Sequence, residues 1–276
     1  MRNHKHFPAT PALSVRDITY RYQSRFAKTP ESVLTELSCT IEAGSLIGIL
    51  GPNGSGKSTL LKLLARVFSA QDGTIELFGQ DILNLSQAEI AKTVAIVPQE
   101  TQQIFPFTIG EMVLMGRFPH HAGVGGWHWE DPADLAIVEM AMQDLDVAHL
   151  ADRLITDVSG GERQRAIIAR ALAQDPKILL LDEPTAFLDL HHQLDIARIL
   201  RRLNQERGLT VVLVSHDLNL ASQYCEQLML LNQGHIVTTG TPEEVISPDV
   251  LEHVYGCEVL VDRHPQSGMP RVSLPV

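Results

Sequence analysis

The sequence GPNGSGKST spans residues 51–59 and decides the fold. Its glycines, Gly51, Gly54 and Gly56, allow successive backbone N–H groups to curve around phosphate oxygens without Cβ clashes. Residues 45–50, SLIGIL, predict a buried strand before the loop, and residues 57–68, KSTLLKLLARVF, predict a helix after it. A phosphate loop requires this order of strand, glycine loop and helix. We therefore predict a binding site for a nucleoside triphosphate.

Individual side chains of this loop have separate expected roles. The helix that begins near Lys57 adds the partial positive charge of its N-terminus. Lys57 is expected to reach the β- and γ-phosphates, and the Ser58 hydroxyl is expected to bind Mg²⁺. The predicted nucleotide-binding residues of the loop are Gly51, Pro52, Asn53, Gly54, Ser55, Gly56, Lys57, Ser58 and Thr59.

Two carboxylates, Asp182 and Glu183, follow the apolar run ILLL at residues 178–181. In a parallel sheet, the carboxyl end of a buried strand is the ligand-binding edge. Asp182 is predicted to join the Mg²⁺ shell through a water, because Mg²⁺ keeps several waters. Glu183 is predicted to orient or deprotonate the water that attacks the γ-phosphate. A solvated acidic pair at a strand end is the alternative, and the phosphate loop favours catalysis.

Two further polar residues follow apolar runs. His216 comes after VVLV at residues 211–214, and it is predicted to contact the γ-phosphate and hold the water against Glu183. Gln99 follows VAIVP, and its amide is predicted to ligate Mg²⁺ or to contact the attacking water. A structural histidine and a neutral loop glutamine are the alternatives. Asp217 is expected to be the N-cap of a helix that starts at Leu218.

A second glycine motif, VSGGE, spans residues 158–162. Ser159 and Glu162 have the spacing of a capping box at a helix N-terminus. Such a glycine-flanked N-terminus is also an anion site, so it can contact the γ-phosphate of a nucleotide. Both interpretations hold together, because the cap builds the site. The binding residues that we predict here are Ser159, Gly160, Gly161 and Glu162.

The remaining patterns predict an α/β protein. Alternating runs at residues 13–22, 33–41 and 73–79 favour an N-terminal antiparallel β subdomain. Helices over 161–173 and 190–207 alternate with strands over 178–181 and 210–214, which indicates a mainly parallel sheet. Between them lies a predicted helical insertion, about 101–157, with a Gly-, His- and Pro-rich loop over 118–132 and a helix over 133–145. A weakly patterned tail follows residue 249, and we expect it to form a small appendage without chemistry.

Composition restricts the class of protein. The net charge of −11 argues against a general polyanion-binding surface, and nucleic acid is not expected as a partner. Three isolated cysteines, with no Cys-x-x-Cys pair, fit a reducing compartment. The longest apolar stretches are strand-sized, well short of the roughly 20 residues of a membrane-spanning helix, and the N-terminus lacks the apolar core of a secretory signal. These features predict a cytosolic protein.

The motifs together, in this order, resemble the ATP-binding subunit of ABC transporters, over about residues 13–250. The matching motifs are GPNGSGKST (Walker A), Gln99 (Q-loop), VSGGE (signature), ILLLDEP (Walker B), Phe187-Leu188-Asp189 (D-loop) and His216 (H-switch). The resemblance implies a P-loop NTPase core that forms a head-to-tail homodimer with two ATP molecules at the interface. Each ATP would lie between the Walker A loop of one copy and the signature residues of the other. Residues 1–12 would then be an extension and 251–276 a C-terminal appendage.

The resemblance also assigns an adenine-stacking role to Tyr22, with Tyr20 as the neighbour that could be confused with it. Stacking is chemically reasonable for either ring. Asp189 of the D-loop joins the implied ATP-binding residues. The signature departs from the family pattern at Val158, where leucine is usual, and at Glu162, where glutamine is usual. Both departures keep the apolar lead-in and the capping geometry.

Finer features are similar to importers of ferric siderophores, haem or cobalamin. They are MGRFPH (115–120), DLHHQ (189–193) and SHDLNLASQYC (215–225). This subgroup implies two transmembrane permease subunits as partners, an indirect substrate-binding protein outside the membrane, and a peripheral position on the cytoplasmic face of the inner membrane. The histidine and tryptophan cluster in the loop lacks a convincing ligand spacing, so a haem or metal role is rejected. Its members are His120, His121, Trp127, His128 and Trp129.

Three other classes of protein are weighed against this one. A soluble ABC-type ATPase acting on ribosomes or DNA usually carries two cassettes or a long coiled coil. An unrelated phosphate-loop kinase would leave VSGGE, DEP and His216 as coincidence. A regulatory ATP-binding subunit conflicts with an intact Glu183. The cargo itself is not fixed by these residues.

Overall fold

The computed structural model describes residues 10–22, 32–99, 106–121 and 131–275. The strands are β1 Leu13–Arg21, β2 Ser32–Ile41, β3 Leu46–Leu50, β4 Asp72–Leu77, β5 Gln80–Asp81, β6 Val94–Val97, β7 Ile178–Asp182, β8 Thr210–Val214, β9 Gln227–Asn232, β10 His235–Gly240, β11 Leu260–Arg263 and β12 Pro270–Ser273. The α-helices are α1 Lys57–Leu64, α2 Gln87–Ala91, α3 Ile109–Leu114, α4 Phe118–His121, α5 Pro132–Asp144, α6 Gly160–Ala173, α7 Leu190–Arg207, α8 Leu218–Tyr224, α9 Pro242–Val245 and α10 Pro248–Tyr255.

A six-stranded sheet forms the centre of the protein, in the order β10-β9-β3-β8-β7-β6. The pairs from β9 to β6 are parallel, and β10 pairs antiparallel with β9. The register aligns Asp182 at the end of β7 with Val214 at the end of β8. Because parallel strands share one carboxyl edge, the loops after β3, β6, β7 and β8 all emerge on the same side of the sheet. The predicted mainly parallel sheet is confirmed.

The antiparallel N-terminal sheet has the order β2-β1-β4-β5 and covers one face of the central sheet. Alternating residues of β3 divide between the two cores: Ile47 and Ile49 pack toward the N-terminal sheet, while Leu46 and Leu50 pack toward α6 and the helical region. This period of two follows from the strand geometry. It explains why the central strands are apolar on both faces, as strands buried in a parallel sheet must be.

The helical region after β6 packs α3 and α5 against α6. An ion pair ties these helices together: Arg117 Nε donates to Asp134 Oδ1 at 2.8 Å, and Arg117 Nη1 donates to the carbonyl oxygen of Ala173 at 2.8 Å. Both side chains of the pair are buried. Such a pair is costly to break from one side, because the remaining charge stays buried.

Several sequence predictions differ from the structure in detail. The helix predicted over 57–68 ends at Leu64, because the chain turns at Arg66, which has φ 50°. Within the predicted loop 118–132, residues 118–121 form α4, and residues 122–130 lie outside the described residues. The tail after residue 249 is more ordered than its pattern indicates, since α10 is followed by the hairpin β11–β12.

The thickness of a lipid bilayer sets the length of a helix that crosses it. Crossing one takes roughly 20 apolar residues in a single helix. Within the described ranges, no helix combines the length and the apolar character that a membrane crossing demands.

Candidate functional site

The carboxyl edge of the central sheet carries a cavity of about 780 Å³. The phosphate loop follows β3, and Gln99, Glu183 and His216 follow β6, β7 and β8, so the fold brings together residues that are far apart in the sequence. The side chains and backbone that line the cavity are Tyr22, Val33, Asn53, Gly54, Gly56, Lys57, Ser58, Thr59, Gln99, Glu183, Phe187 and His216. Sequence reasoning did not identify Val33, whose alternating strand pattern carries no functional signal.

The phosphate loop owes its shape to glycine. Gly51 has φ 143°, and a Cβ there would lie 2.1 Å from the Leu231 carbonyl oxygen. Gly56 has φ 104° and is the N-cap of α1, where no side chain of the described residues caps the helix. The first N–H groups of α1 therefore keep their capacity to bind an anion.

Lys57 lies across the loop. Its Nζ donates to the carbonyl oxygens of Gly51 at 2.8 Å and Pro52 at 2.9 Å. Burial lowers the pKa of Lys57, and the nearby carboxylates of Glu183 and Asp182 oppose this shift. An ammonium held by two neutral carbonyls in a buried position gains from an anionic partner. The geometry suits a phosphate beside this side chain.

Ser58 and Asp182 form a polar pair at the base of the cavity. Ser58 Oγ donates to Asp182 Oδ1 at 3.0 Å, and Asp182 is 5% exposed. Burial raises the pKa of Asp182, while the hydrogen bond from Ser58 opposes it. A buried carboxylate beside a hydroxyl supplies the hard oxygen ligands that Mg²⁺ prefers, and a cation would relieve the cost of burying the charge. The residues present therefore fit a magnesium ion.

Glu183 is held by two partners on the same oxygen. Gln99 Nε2 donates to Glu183 Oε2 at 2.9 Å, and His216 Nδ1 lies 3.3 Å from that oxygen. The backbone of Glu183 has φ 48°, which is a strained conformation for a residue with a Cβ, and its N–H donates to Val214 O at 3.0 Å. The strain and the two polar contacts fix one orientation of the carboxylate beside the phosphate loop.

Tyr20 in β1 and Tyr22 just after it differ in their surroundings. Tyr20 is buried and stacks on Phe68, with ring centroids 5.4 Å apart. Tyr22 is 43% exposed and lines the cavity, and its hydroxyl forms a hydrogen bond of 3.0 Å with Thr59 Oγ1. Of these two rings, only that of Tyr22 is available to a ligand in the cavity.

The signature residues lie apart from this cavity. Ser159 caps α6: Glu162 N–H donates to Ser159 Oγ at 3.2 Å, and Ser159 N–H donates to Glu162 Oε2 at 2.8 Å. The predicted capping box is therefore confirmed. Within the described residues, none of positions 159–162 lines the cavity. Asp189, another predicted binding residue, accepts a hydrogen bond from His192 N–H at 3.0 Å and caps α7.

His120 and His121 belong to the segment predicted as a loop and lie in α4, where both contact protein atoms. His120 Nε2 lies 2.9 Å from the Gln174 carbonyl oxygen, and His121 Nε2 contacts Asp134 Oδ2 beside Arg117. Trp127, His128 and Trp129 lie outside the described residues.

Another group of side chains that could ligate a metal lies at the start of α7. Ligand atoms of His191, His192 and Asp195 lie within 4.8 Å of one another. Arg165 Nη1 is 3.5 Å from His192 Nδ1, so a metal on the other ring nitrogen would force the Nδ1 proton against a guanidinium. We assign no metal to this group.

A phosphate loop at the switch from β3 to α1, with carboxylates at the end of β7 two strands away in the same sheet, defines a P-loop NTPase. The family model described as "ABC transporter" matches residues 34–186. The chain is 40% identical over 247 residues to the petrobactin import ATP-binding protein FpuC of Bacillus anthracis, covering 90% of this chain and 88% of that one. It is 41% identical to the hemin import ATP-binding protein HmuV of Gloeobacter violaceus, covering 87% and 88%.

Solved structures agree with the sequence relatives. The dimeric post-hydrolysis structure of the ATP-binding cassette MJ0796, bound to ADP and Pi, superposes with a TM-score of 0.72 at 27% identity, covering 83% of this chain and 98% of that one. The chain belongs to the ABC transporter family, and it is an ATP-binding and ATP-hydrolysing protein of that family.

Proposed function

We propose that this protein couples ATP hydrolysis to the import of an iron chelate, haem or cobalamin by an ABC transporter. One observation carries the ATPase part of the proposal. Glu183, its partners Gln99 and His216, and the Ser58–Asp182 pair all meet at the edge of one cavity beside the phosphate loop. This set supplies a base, a metal shell and a phosphate cradle for one γ-phosphate.

The side chains have distinct roles in this proposal. Lys57 and the first N–H groups of α1 bind the phosphates, and Tyr22 stacks on the base. Glu183 accepts a proton from the attacking water, or orients it, while Gln99 and His216 hold the carboxylate in place. Ser58, Asp182 and the amide oxygen of Gln99 would hold Mg²⁺, which would neutralise charge that develops on the phosphate oxygens.

A second copy of the chain completes the site. Ser159 is the exposed N-cap of α6, and Gly161 is a buried residue in its first turn. Both lie outside the cavity that holds Lys57. An anion-binding helix N-terminus that is separate from the phosphate loop can contact a nucleotide held by another molecule. A head-to-tail homodimer provides this contact, and the dimeric relative supports it.

The importer part of the proposal rests on the relatives. Those reported above are import ATP-binding proteins for petrobactin and hemin. We infer that two transmembrane permease subunits bind this chain at the cytoplasmic face of the membrane, and that a substrate-binding protein delivers the cargo from outside. The helical region around Gln99 is the surface that we assign to the permease.

The decisive experiment isolates the chain with its permease subunits and measures uptake into proteoliposomes. Vesicles loaded with ATP and Mg²⁺ are supplied with a ferric siderophore, haem or cobalamin, together with the substrate-binding protein. Accumulation of one cargo by the parent complex, and none by the Glu183→Gln complex, is the expected result. ATP hydrolysis without accumulation of any of the three would contradict the importer assignment and leave the ATPase assignment intact.

A further inference from the structure

The C-terminal hairpin contacts the helix that follows His216. Asn219 of α8 forms two hydrogen bonds with the backbone of Val272 in β12: its Nδ2 donates to Val272 O at 3.1 Å, and Val272 N–H donates to its Oδ1 at 2.8 Å. One side chain thus acts as an extra partner for the strand backbone. These two hydrogen bonds fix the position of the hairpin relative to the helix.

A second contact lies one helical turn further along α8. Ser222 Oγ donates to the Pro270 carbonyl oxygen at 2.7 Å, and Ser222 is fully buried. If the hairpin moved away, this hydroxyl would lose its partner in a buried place, which is unfavourable. Ser267 in the hairpin turn adds a bond from its Oγ to Gln223 Oε1 at 2.7 Å.

The helix held in this way is short and borders the catalytic histidine directly. It spans Leu218–Tyr224 and is capped by Asp217, whose Oδ1 accepts from Leu220 N–H at 2.9 Å. His216 is the residue before this cap. A helix of seven residues is not stable by itself, so its position depends on tertiary contacts. The contacts that hold α8 therefore bear on where His216 lies.

The contact between His216 and Glu183 is open to solvent, so the position of the His216 ring depends on the backbone on either side of it. The two side chains approach to 3.3 Å, and the His216 side chain is 61% exposed. Little packing around the ring itself holds it against the carboxylate. The backbone before it is anchored, since Ser215 N–H donates to Ile49 O at 3.1 Å. The backbone after it is anchored through α8.

We propose that the C-terminal hairpin is a positioning element for His216, acting through the contacts of Asn219 and Ser222 with β12. The inference rests on the catalytic role of His216 in the proposed function. It assigns a contribution to turnover to a segment whose sequence indicates no chemistry. The hairpin does not touch the nucleotide cavity, so it is expected to act on the hydrolytic step and not on ATP binding.

The test uses the full chain with ATP and Mg²⁺ and measures kcat and KM separately. Asn219→Ala and Ser222→Ala are each expected to lower kcat about tenfold, because small displacements of a catalytic group cost this much or more. KM for ATP is expected to stay within about twofold. Asn219→Asp keeps the acceptor for Val272 N–H and is expected to recover part of the lost kcat. Asn84→Ala is the control, since Asn84 is an exposed asparagine that lines neither the cavity nor the contact between α8 and the hairpin.

The outcomes separate the possibilities. A fall in kcat with unchanged KM, partly recovered by Asn219→Asp, supports positioning. An unchanged kcat in both alanine variants, a rise in KM alone, or an equal fall in Asn84→Ala overturns it. Melting temperatures are measured in parallel, and kcat is compared where every variant is fully folded. If the parent itself hydrolyses no ATP, the proposed function fails. If His216→Ala keeps the parent kcat while Glu183→Gln loses it, the role of His216 and this inference fail, and the ATPase assignment stands.

Discussion

Gln99 Nε2 donates a hydrogen bond to Glu183 Oε2 at 2.9 Å, and so joins the end of β6 to the end of β7. The contact links Gln99, which lies between β6 and the helical region, to the residue that we assign as the base. Any displacement of the helical region that moves Gln99 would therefore change the environment of Glu183. This pair is a direct structural connection between the proposed permease surface and the proposed base.

Replacement of the base tests this assignment directly. Glu183→Gln keeps the size of the side chain and removes its ability to accept a proton, so turnover should fall by at least about 100-fold. ATP binding should persist and the closed dimer should accumulate. Steady-state hydrolysis, nucleotide binding and size-exclusion chromatography with ATP measure the three effects. Glu206→Gln, on the exposed face of α7, is the control, and hydrolysis at the parent rate by Glu183→Gln would rule out the base assignment.

The lysine of the phosphate loop should affect binding itself. Lys57→Ala removes a buried cation that donates to Gly51 O and Pro52 O, and it leaves the phosphates without their principal positive charge. We expect ATP affinity to fall by at least about tenfold, which corresponds to about 1.4 kcal/mol. Fluorescent-nucleotide titration measures it. Lys92→Ala removes an exposed lysine and should bind ATP as the parent does; equal affinities for both variants would contradict the role of Lys57.

The two-copy site can be tested with a matched pair of substitutions. Ser159→Arg places a long cation where the partner's nucleotide is expected, and it should block hydrolysis while the isolated chain still binds ATP. Ser86→Arg alters the same kind of capping box on α2, whose Glu89 N–H donates to Ser86 Oγ at 3.2 Å. Both changes lose a cap worth about 1 kcal/mol. Survival of dimerisation and turnover in Ser159→Arg would exclude the shared site.

The tyrosine assignment predicts a contrast between two substitutions at one position. Tyr22→Phe keeps the ring and loses only the hydrogen bond with Thr59, so ATP affinity should change little. Tyr22→Ala removes the ring, and affinity should fall by about fivefold to tenfold, in line with about 1 kcal/mol for an aromatic stack. GTP and ATP titrations of each variant measure the effect. Equal affinities for the phenylalanine and alanine variants would show that the ring does not stack on the base.

The buried ion pair predicts a pH-dependent contribution to stability. Burial alone raises the pKa of Asp134, but the hydrogen bonds and charges of Arg117 and His121 outweigh it and hold the pKa below its usual range. A depressed carboxyl pKa stabilises the fold above the ordinary aspartate value of about 3.9, and this stabilisation is lost as the pH falls through the folded-state pKa.

Asp134→Asn should therefore lower the free energy of unfolding by about 3 kcal/mol near pH 7, because Arg117 remains buried without its carboxylate. The difference from the parent should shrink as the pH is lowered below about 4. Urea unfolding at a series of pH values measures it. Asp152→Asn, at an exposed position, is the control. A difference that stays constant across this pH range would mean that the pair is not ionised in the folded protein.

Strand ends and strong periodicity made much of the fold predictable. The bounds of α7 and β8 follow from the sequence, because Asp189 caps a long amphipathic run and Gly208 ends it in a left-handed conformation. Gln99, Glu183 and His216 each follow an apolar run, and the sequence predicts that they act around one γ-phosphate. The rule that parallel strands share a carboxyl edge predicts that they meet, but only coordinates give the contacts between them.

Other features have no signal in a single sequence. Tyr20 and Tyr22 are two positions apart, so the alternation of a strand predicts the same face for both side chains. They differ because β1 ends at Arg21, which leaves Tyr22 at the rim of the cavity and Tyr20 under Phe68. The docking of the hairpin on α8 depends on side chains bonding to backbone, and such bonds follow no hydrophobic period. The sequence therefore predicts a small appendage but gives no sign that Asn219 and Ser222 hold it.

The left-handed backbone of Glu183 has a consequence for the evolution of the protein. Glycine adopts φ near 48° without strain, so Glu183→Gly should relax the turn after β7 by about 1 kcal/mol. That same change deletes the side chain that we assign as the base. A library selected only for resistance to heat would thus enrich a variant that cannot turn over ATP, and activity must be selected alongside stability at this position.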